Sequence, residues 1–167
     1  MKLAVGLSGG VDSSVAAAIL KQQGHTIVGV TMKIWQDAYK TKVVRSACFG
    51  PDEAEDIEDA AAVAKKIGIP FRVIDLSEEY HREIIGYFKG EYLDGRTPNP
   101  CVKCNKQLKF GYLVDEARAS GLEFDYFATG HYARIGYDEK AKRYLLKKAT
   151  YLKKDQSYFL ELLSQEQ

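Results

Sequence analysis

Residues 6–14 read Gly6-Leu7-Ser8-Gly9-Gly10-Val11-Asp12-Ser13-Ser14 and decide the fold. They follow the apolar run 2–7 and precede the segment 13–23, whose apolar residues recur at helical spacing. Glycines allow a tight turn, and the backbone amides at a helix N-terminus attract phosphate oxygens. The stretch therefore predicts a strand, a phosphate-binding loop and a helix, in this order.

The rest of the chain repeats this alternation of short apolar runs and longer amphipathic segments. Strands are predicted over 26–34, 71–76 and 124–129, and helices over 52–67, 78–92 and 105–120. Toward the end, 132–150 is predicted to form a short β-hairpin from 133–135 and 143–147, and 157–167 is predicted to be helical. This order is typical of a doubly wound α/β fold with a mainly parallel sheet, and we expect one domain over residues 1–167.

The composition is that of an ordinary globular protein. Its 167 residues include 24 Lys and Arg against 23 Asp and Glu, so a strongly charged disordered tail is excluded. No run approaches the roughly 18 apolar residues of a membrane-spanning helix, and the N-terminus lacks a signal-peptide pattern. With three cysteines, too few for a disulfide scaffold, we expect a cytoplasmic protein with no membrane association. Because 157–167 ends without a capping residue, we also expect a longer natural chain.

The glycine-rich loop differs from two common phosphate-binding motifs. It lacks the Gly-Lys-Ser/Thr of a Walker loop, and its glycines lack the spacing of the dinucleotide fingerprint. It resembles the Ser-Gly-Gly-x-Asp-Ser loop of the PP-loop ATP pyrophosphatases, which implies that it holds the pyrophosphate of ATP while a substrate is adenylated. Asp12 beside phosphates then requires Mg²⁺ to offset the repulsion. A ligand-free glycine turn before a capped helix is the alternative.

Further ligand-binding residues are expected where the other strands end, because ligands of open parallel sheets lie beyond the carboxyl ends of the strands. Met32 ends the second predicted strand, and Gly130 and His131 follow the fourth. Met32 either packs on adenine or belongs to the core, and Gly130 allows a close approach of the nucleotide. His131 is either a phosphate donor or the buried partner of a carbonyl.

A second informative stretch, residues 97–105, reads Thr97-Pro98-Asn99-Pro100-Cys101-Val102-Lys103-Cys104-Asn105. Its prolines predict an extended loop that presents two cysteines at the start of a helix. That helix N-terminus, together with Lys103, Lys106 and Arg96, favours a reactive thiolate. Structural zinc needs four ligands, and Cys48 offers only one more. An iron–sulfur cluster on Cys101 and Cys104 with Cys48 stays open.

Together these motifs resemble the tRNA-specific 2-thiouridylases over residues 3–167. The similar stretches are 6–14, 32–35, 55–60, 95–110, 128–134 and Lys154-Asp155-Gln156-Ser157-Tyr158-Phe159-Leu160. The resemblance implies an enzyme that uses ATP to adenylate the C2 oxygen of the wobble uridine in tRNA for Lys, Glu or Gln. Sulfur from a cysteine persulfide, supplied by a donor protein, then replaces that oxygen.

The resemblance also implies roles for individual residues. ATP would be bound, with Mg²⁺, by Gly6, Leu7, Ser8, Gly9, Gly10, Val11, Asp12, Ser13, Met32 and Gly130. Asn99, Pro100 and Cys101 would face the target base, and Lys154, Asp155 and Gln156 would touch tRNA. Asp12 and Cys104 would be catalytic, but many members carry Asp at the position of Cys101, so which thiol attacks stays open. Members of the family continue with β-rich domains and a second catalytic cysteine.

Two other interpretations compete with this one. The chain could be a PP-loop enzyme that adenylates, or transfers sulfur to, a small molecule. It could also be a non-catalytic metal-binding or RNA-binding module with a decayed loop, although the intact Ser8, Gly9 and Asp12 argue against decay.

Overall fold

A computed structural model describes residues 1–36, 50 and 52–167. Four parallel strands form a sheet in the order β3-β2-β1-β4. Their bounds are Lys2–Gly6 (β1), Thr26–Lys33 (β2), Phe71–Asp75 (β3) and Tyr126–Ala128 (β4). The chain thus runs outward from β1 to β3 and returns to the other side of β1. This topology confirms the predicted doubly wound parallel sheet.

Helices cover both faces of this sheet. One face carries α1 (Val11–Gln22) and α2 (Glu53–Ile67). The other carries two helical runs with π-helical segments inside them: α3 (Ser77–Tyr80), a π segment His81–Ile85 and α4 (Gly86–Leu93), then α5 (Pro100–Cys104), a π segment Asn105–Tyr112 and α6 (Leu113–Ala119). Within the described residues, no helix is both long enough and apolar enough to cross a membrane.

The core has two parts because β1 is buried on both of its faces. Leu3 and Val5 pack in one cluster with Ala17 of α1 and Ala60 of α2. Between them, Ala4 points the other way and packs in a second cluster with residues of the two interrupted helical runs. Continuous burial of successive residues is the property of a central strand in a parallel sheet. The burial of successive residues fixes where β1 ends, and therefore where the glycine-rich loop begins.

The predicted hairpin is present as β5 (Ala133–Asp138) and β6 (Arg143–Lys148). One face of it carries the exposed pairs Ile135 with Leu146 and Tyr137 with Tyr144. At the outer edge of β6, the Tyr144 amide donates to Gln165 Oε1 (2.7 Å), and Gln165 Nε2 donates to the Tyr144 carbonyl (3.2 Å). A single side chain therefore occupies both backbone groups of Tyr144.

The predicted helix over 157–167 is wrong. Two short 3₁₀ helices, Leu152–Lys154 and Ser157–Leu160, are found instead. Between them, Asp155 accepts hydrogen bonds from the Ala149 amide (2.5 Å) and the Ser157 hydroxyl (2.7 Å), which ties the turn to the end of β6. At the far end, Gln167 Nε2 donates to the Lys106 and Phe110 carbonyls. Tertiary hydrogen bonds therefore set the path of this segment, against its helical periodicity.

Candidate functional site

A cavity of about 250 Å³ opens at the carboxyl ends of β1, β2 and β4. It lies where the strand order reverses between β1 and β4, the position at which open parallel sheets bind their ligands. The predicted nucleotide-binding residues in its lining are Gly6, Leu7, Ser8, Asp12, Ser13, Met32 and Gly130. The other three, Gly9, Gly10 and Val11, lie outside the lining.

The loop between β1 and α1 is organised by its own hydroxyl groups. Ser13 Oγ accepts a hydrogen bond from the Ser8 amide (3.2 Å), donates to the Gly10 carbonyl (3.1 Å) and lies 3.2 Å from Ser8 Oγ. Ser13 is buried, so these bonds form inside the turn. Ser13 therefore closes the loop on itself in addition to lining the cavity.

Gly9 is required where it stands because its backbone has φ +75° and packs on α2. A Cβ at this position would lie 2.8 Å from the Asp56 carbonyl oxygen and 3.1 Å from Asp59 Cβ. Since a side chain is disfavoured at positive φ and the nearest atom belongs to a helix backbone, glycine fits and larger residues do not. Gly9 thus shapes the loop without touching the cavity.

Gly130 lies against the first turn of α1. A Cβ on Gly130 would lie 2.6 Å from the Ser13 nitrogen and 2.8 Å from the Asp12 carbonyl carbon. The absence of a side chain at Gly130 therefore allows the chain after β4 to approach the helix backbone. The sequence predicts a different reason for this glycine, the close approach of a nucleotide. This contact holds the two sides of the cavity together.

We expect Gly130→Ala to lower the free energy of unfolding by roughly 2–4 kcal/mol, because the added methyl meets backbone that must move. Urea unfolding measures the change. Gly90→Ala is the matched control, since a Cβ on Gly90 in α4 has no atom within 4 Å and alanine stabilises helix interiors by about 1 kcal/mol. A Gly130→Ala variant as stable as the wild type would contradict the close contact with α1.

Asp12 lies at the cavity and contacts the segment that follows the hairpin. The Tyr132 hydroxyl donates to Asp12 Oδ1 (2.7 Å), and Lys154 Nζ lies 3.8 Å from the same oxygen and 5.0 Å from the centre of the Tyr132 ring. The Gln156 amide donates to the Tyr132 carbonyl (2.8 Å), and the Tyr132 amide donates to Gln156 Oε1 (2.9 Å). Lys154 and Gln156, predicted to touch tRNA, therefore adjoin the phosphate loop, and Gln156 lines the cavity.

Asp12 is a carboxylate of the cavity lining that belongs to the glycine-rich loop and suits a magnesium ion. Among the described residues, no three His, Cys, Asp or Glu side chains are grouped so that they could hold a metal. Mg²⁺ commonly binds one or two carboxylates together with substrate phosphates and waters, so a protein cage is not required. Asp12, in the lining beside the loop, fits that mode of binding.

Glu53, Asp56 and Lys109 also line the cavity, although sequence reasoning had not selected them. Glu53 accepts hydrogen bonds from the Ile34 amide (2.8 Å) and the Trp35 amide (2.9 Å), so it fixes the chain just after β2. Burial raises the pKa of the Glu53 carboxyl. The two donors lie 19 and 18 residues earlier in the chain, and no local sequence pattern predicts hydrogen bonds between residues so far apart.

His131 also lines the cavity, and its Nδ1 lies 2.7 Å from the Thr129 hydroxyl. Burial, with a smaller contribution from the Lys109 charge, lowers the pKa of His131 to about 4. The imidazole is therefore neutral at pH 7. Its observed partner is a hydroxyl group, whereas the sequence interpretations were a phosphate or a carbonyl.

This pKa predicts a pH-dependent stability. His131 takes up a proton near pH 6.5 in the unfolded chain but only near pH 4 in the folded chain. The contribution of the neutral His131 to the free energy of unfolding is therefore complete above pH 6.5 and is lost as the pH falls toward 4. The loss is at most about 1.4 kcal/mol per pH unit, and less because the ring is only partly buried. Urea unfolding at about pH 7.5 and about pH 5 should show a smaller drop in His131→Gln than in the wild type. Equal drops would contradict the buried neutral imidazole.

Cys101 lies in the first turn of α5 and Cys104 is its last residue, so the prediction that both cysteines stand at the start of a helix is confirmed. The predicted helix start at 105 is wrong by five residues, because α5 begins at Pro100. Asn99 Oδ1 caps α5 by accepting from the Val102 amide (3.3 Å), and Pro100 takes the first helical position, where its missing N–H costs nothing. Cys101 is exposed and Cys104 is half-buried. Cys48, the third ligand that a cluster would need, lies outside the described residues.

Two of the cations expected beside the thiols are engaged elsewhere. Arg96 donates to both carboxylate oxygens of Glu91 at 2.8 Å and to Asp94 at 2.9 Å. Lys103 Nζ lies 4.7 Å from the centre of the Tyr87 ring. Activation of a thiol by Arg96 therefore has no support from this geometry.

One segment joins the cavity to the cysteines. Gln156 lines the cavity, Asn99 Nδ2 donates to the Tyr158 hydroxyl (2.6 Å), and Asn105 Nδ2 donates to the Phe159 carbonyl (3.1 Å). In addition, Lys109 of the lining follows Cys104 by five residues in the same helical run. The cavity and the cysteine pair therefore lie in one region of the molecule.

The fold and the site define a doubly wound α/β protein with a PP-loop type of phosphate-binding loop at the switch point of its sheet. Over residues 1–167 the chain matches the family described as the tRNA methyl transferase HUP domain. The chain belongs to this family.

Named relatives are similar over almost the whole chain. The tRNA-specific 2-thiouridylase MnmA of Clostridioides difficile (strain 630) is 52% identical over 166 residues, which cover 99% of this chain and 44% of that protein. The tRNA-specific 2-thiouridylase MnmA of Acetivibrio thermocellus is 50% identical over 167 residues, 99% of this chain and 45% of that protein. The chain thus spans less than half the length of these relatives. A solved structure, a predicted subunit of tRNA methyltransferase from Methanocaldococcus jannaschii, aligns with a TM-score of 0.46 and 20% identity over 78% of this chain and 52% of that one.

Proposed function

We propose that this chain is the part of a tRNA 2-thiouridylase that binds ATP and adenylates the wobble uridine of tRNA. The observation that carries the proposal is the cavity at the switch point, which is lined by the glycine-rich loop and by the ends of β2 and β4. Similarity to proteins named tRNA-specific 2-thiouridylases along 99% of the chain supports tRNA as the substrate.

The first step would convert a poor leaving group into a good one. The C2 oxygen of uridine attacks the α-phosphorus of ATP, a C–O–P ester forms, the α–β phosphoanhydride bond breaks, and pyrophosphate leaves. The loop amides and the Ser8 hydroxyl would bind and orient the departing pyrophosphate. Asp12 would hold Mg²⁺, which when bound offsets the negative charge of the phosphates.

In the second step, the outer sulfur of a cysteine persulfide supplied by a donor protein attacks C2, a C–S bond forms, and AMP leaves with the original oxygen. We assign the completion of this step to Cys104, with Cys101 beside it. The Cys104 thiolate attacks the inner sulfur of the persulfide, the S–S bond breaks, the outer sulfur stays on C2 as 2-thiouridine, and Cys104 ends in a disulfide. Asn99 and Pro100 would face the target base, which must leave its stack to reach them. The position of the cysteine pair next to the cavity supports this assignment.

We further propose that the substrate is a tRNA for Lys, Glu or Gln and that the protein is cytoplasmic. A cytoplasmic location suits chemistry that depends on reduced thiols. A cluster on Cys101 and Cys104 is an alternative use of these residues. It predicts visible absorbance and bound iron after anaerobic purification, whereas the persulfide route predicts neither.

The test is Mg²⁺-dependent exchange of labelled pyrophosphate into ATP, with and without tRNA that lacks 2-thiouridine. Exchange that requires this tRNA, and that fails with tRNA already thiolated, is the expected result. Exchange that depends on a small molecule and ignores tRNA would identify a different PP-loop enzyme. Failure of the chain to bind ATP in equilibrium dialysis would contradict the proposal at its first step.

A further inference from the structure

We propose that Lys154 is a phosphate-binding residue of the nucleotide site. It belongs to a distant part of the chain and would supply a positive charge to the glycine-rich loop, which contains no Lys or Arg. This inference rests on the proposed function and deepens it. It assigns Lys154 to the phosphates of ATP, where the family resemblance had implied a contact with tRNA.

The need for a cation follows from the charges around the cavity. Residues 6–14 contain no Lys or Arg, whereas the Walker type of phosphate loop carries a lysine that reaches the β- and γ-phosphates. Among the described residues, the cavity lining holds the three carboxylates Asp12, Glu53 and Asp56 against the single lysine Lys109. A triphosphate added to this lining meets repulsion that loop amides alone only partly offset.

Lys154 is a cation that adjoins the loop from outside the lining. Its Nζ lies 3.8 Å from Asp12 Oδ1 and 5.0 Å from the centre of the Tyr132 ring, and the Tyr132 hydroxyl donates to the same Asp12 oxygen. Asp12 itself lines the cavity. The ammonium group therefore lies beside a carboxylate of the cavity lining.

The backbone of Lys154 is held in place while its side chain keeps some freedom. Asp155 is anchored to the Ala149 amide, and Gln156 exchanges two hydrogen bonds with the backbone of Tyr132. The side chains of Lys154 and Asp12 are 55% and 47% exposed, so their ion pair is weak. A lysine on a fixed backbone, in a weak pair, is readily transferred to a more highly charged partner.

ATP phosphates are such a partner. They carry more negative charge than one carboxylate, so they compete with Asp12 for the ammonium group. Transfer of Lys154 to the phosphates releases Asp12 for Mg²⁺. The pair thus keeps both groups in position before the nucleotide arrives.

The experiment compares the affinities of Lys154→Met, Lys154→Arg and the wild type for ATP and for AMP, by calorimetry with Mg²⁺. Loss of a charge-assisted contact to the phosphates is expected to weaken ATP binding by about tenfold or more, with a much smaller effect on AMP. Lys154→Arg should recover most of the ATP affinity. Lys153→Met, a change at the exposed neighbouring lysine, is the matched control and should bind ATP like the wild type.

Three outcomes would overturn the inference. Unchanged ATP affinity in Lys154→Met, with weaker tRNA binding in a filter assay, would return Lys154 to the tRNA contact. Equal weakening of ATP and AMP, together with a lowered melting temperature, would show a structural role of the segment. Equal losses in Lys154→Met and Lys153→Met would show a general charge effect. A wild-type chain that binds no ATP would instead contradict the proposed function itself.

Discussion

Asp12→Asn is expected to lower the rate of tRNA-dependent pyrophosphate exchange by about 100-fold to 1000-fold, the size of effect seen when one preorganised electrostatic group is removed from an active site. The amide has the shape of the carboxylate and can still accept the hydrogen bond from Tyr132. It has lost the charge that would hold Mg²⁺. Initial rates of exchange at saturating ATP measure the effect.

Tyr132→Phe separates the charge of Asp12 from its hydrogen bond. This variant removes the hydroxyl that donates to Asp12 Oδ1 and keeps the carboxylate. We expect a loss of about tenfold, the low end of the cost of one hydrogen bond to a charged group, because the position is exposed. An exchange rate of Asp12→Asn within twofold of the wild type would exclude the magnesium role. Equal losses in both variants would also contradict that role, because removing the charge would then matter no more than removing one hydrogen bond.

Cys104→Ser is expected to abolish 2-thiouridine formation while pyrophosphate exchange continues. The proposed sulfur step follows adenylation, so the loss of the thiol leaves the earlier step with its own residues. The serine hydroxyl is similar in size and is a far weaker nucleophile at neutral pH. The measurement is 2-thiouridine in digested tRNA by mass spectrometry, with the full-length protein that contains this chain, ATP, Mg²⁺ and a persulfide donor.

Cys101→Asp is the matched variant for that experiment. Asp is the residue that the family resemblance implies as the common one at this position. Cys101 is exposed in the first turn of α5, where an acidic residue suits the helix dipole. We therefore expect most of the thiolation to remain. The reverse pattern, with activity lost in Cys101→Asp and kept in Cys104→Ser, would make Cys101 the attacking thiol.

The sheet and the loop could be predicted from the sequence because each depends on residues that are close together in the chain. Each strand is a short apolar run between helical segments, and the residues of the loop are adjacent in the chain. The positions of Met32 and Gly130 at the cavity could also be predicted, because parallel strands end at one edge of the sheet and the residues at their ends meet there. Both line the cavity.

Contacts between distant residues could not be predicted in this way. Tyr132 donates to Asp12 across 120 residues of chain, and Lys154 lies beside both. The segment after Asp155 has helical periodicity, but its course is set by the hydrogen bonds from Asn105 to the Phe159 carbonyl and from Gln167 to the Lys106 carbonyl. The start of α5 was misplaced because the prolines were interpreted as an extended loop, although Pro100 suits a first helical turn.

The pairing of Gln165 with Tyr144 has a consequence for solubility. A two-stranded hairpin has exposed edges, and an exposed edge beside an apolar face such as that of Ile135 and Leu146 can recruit a strand from another molecule and begin aggregation. Here an amide side chain imitates one residue of a neighbouring strand, since it bonds to the N–H and the C=O that such a strand would use. Gln165 therefore blocks edge-to-edge association at Tyr144 without adding a strand.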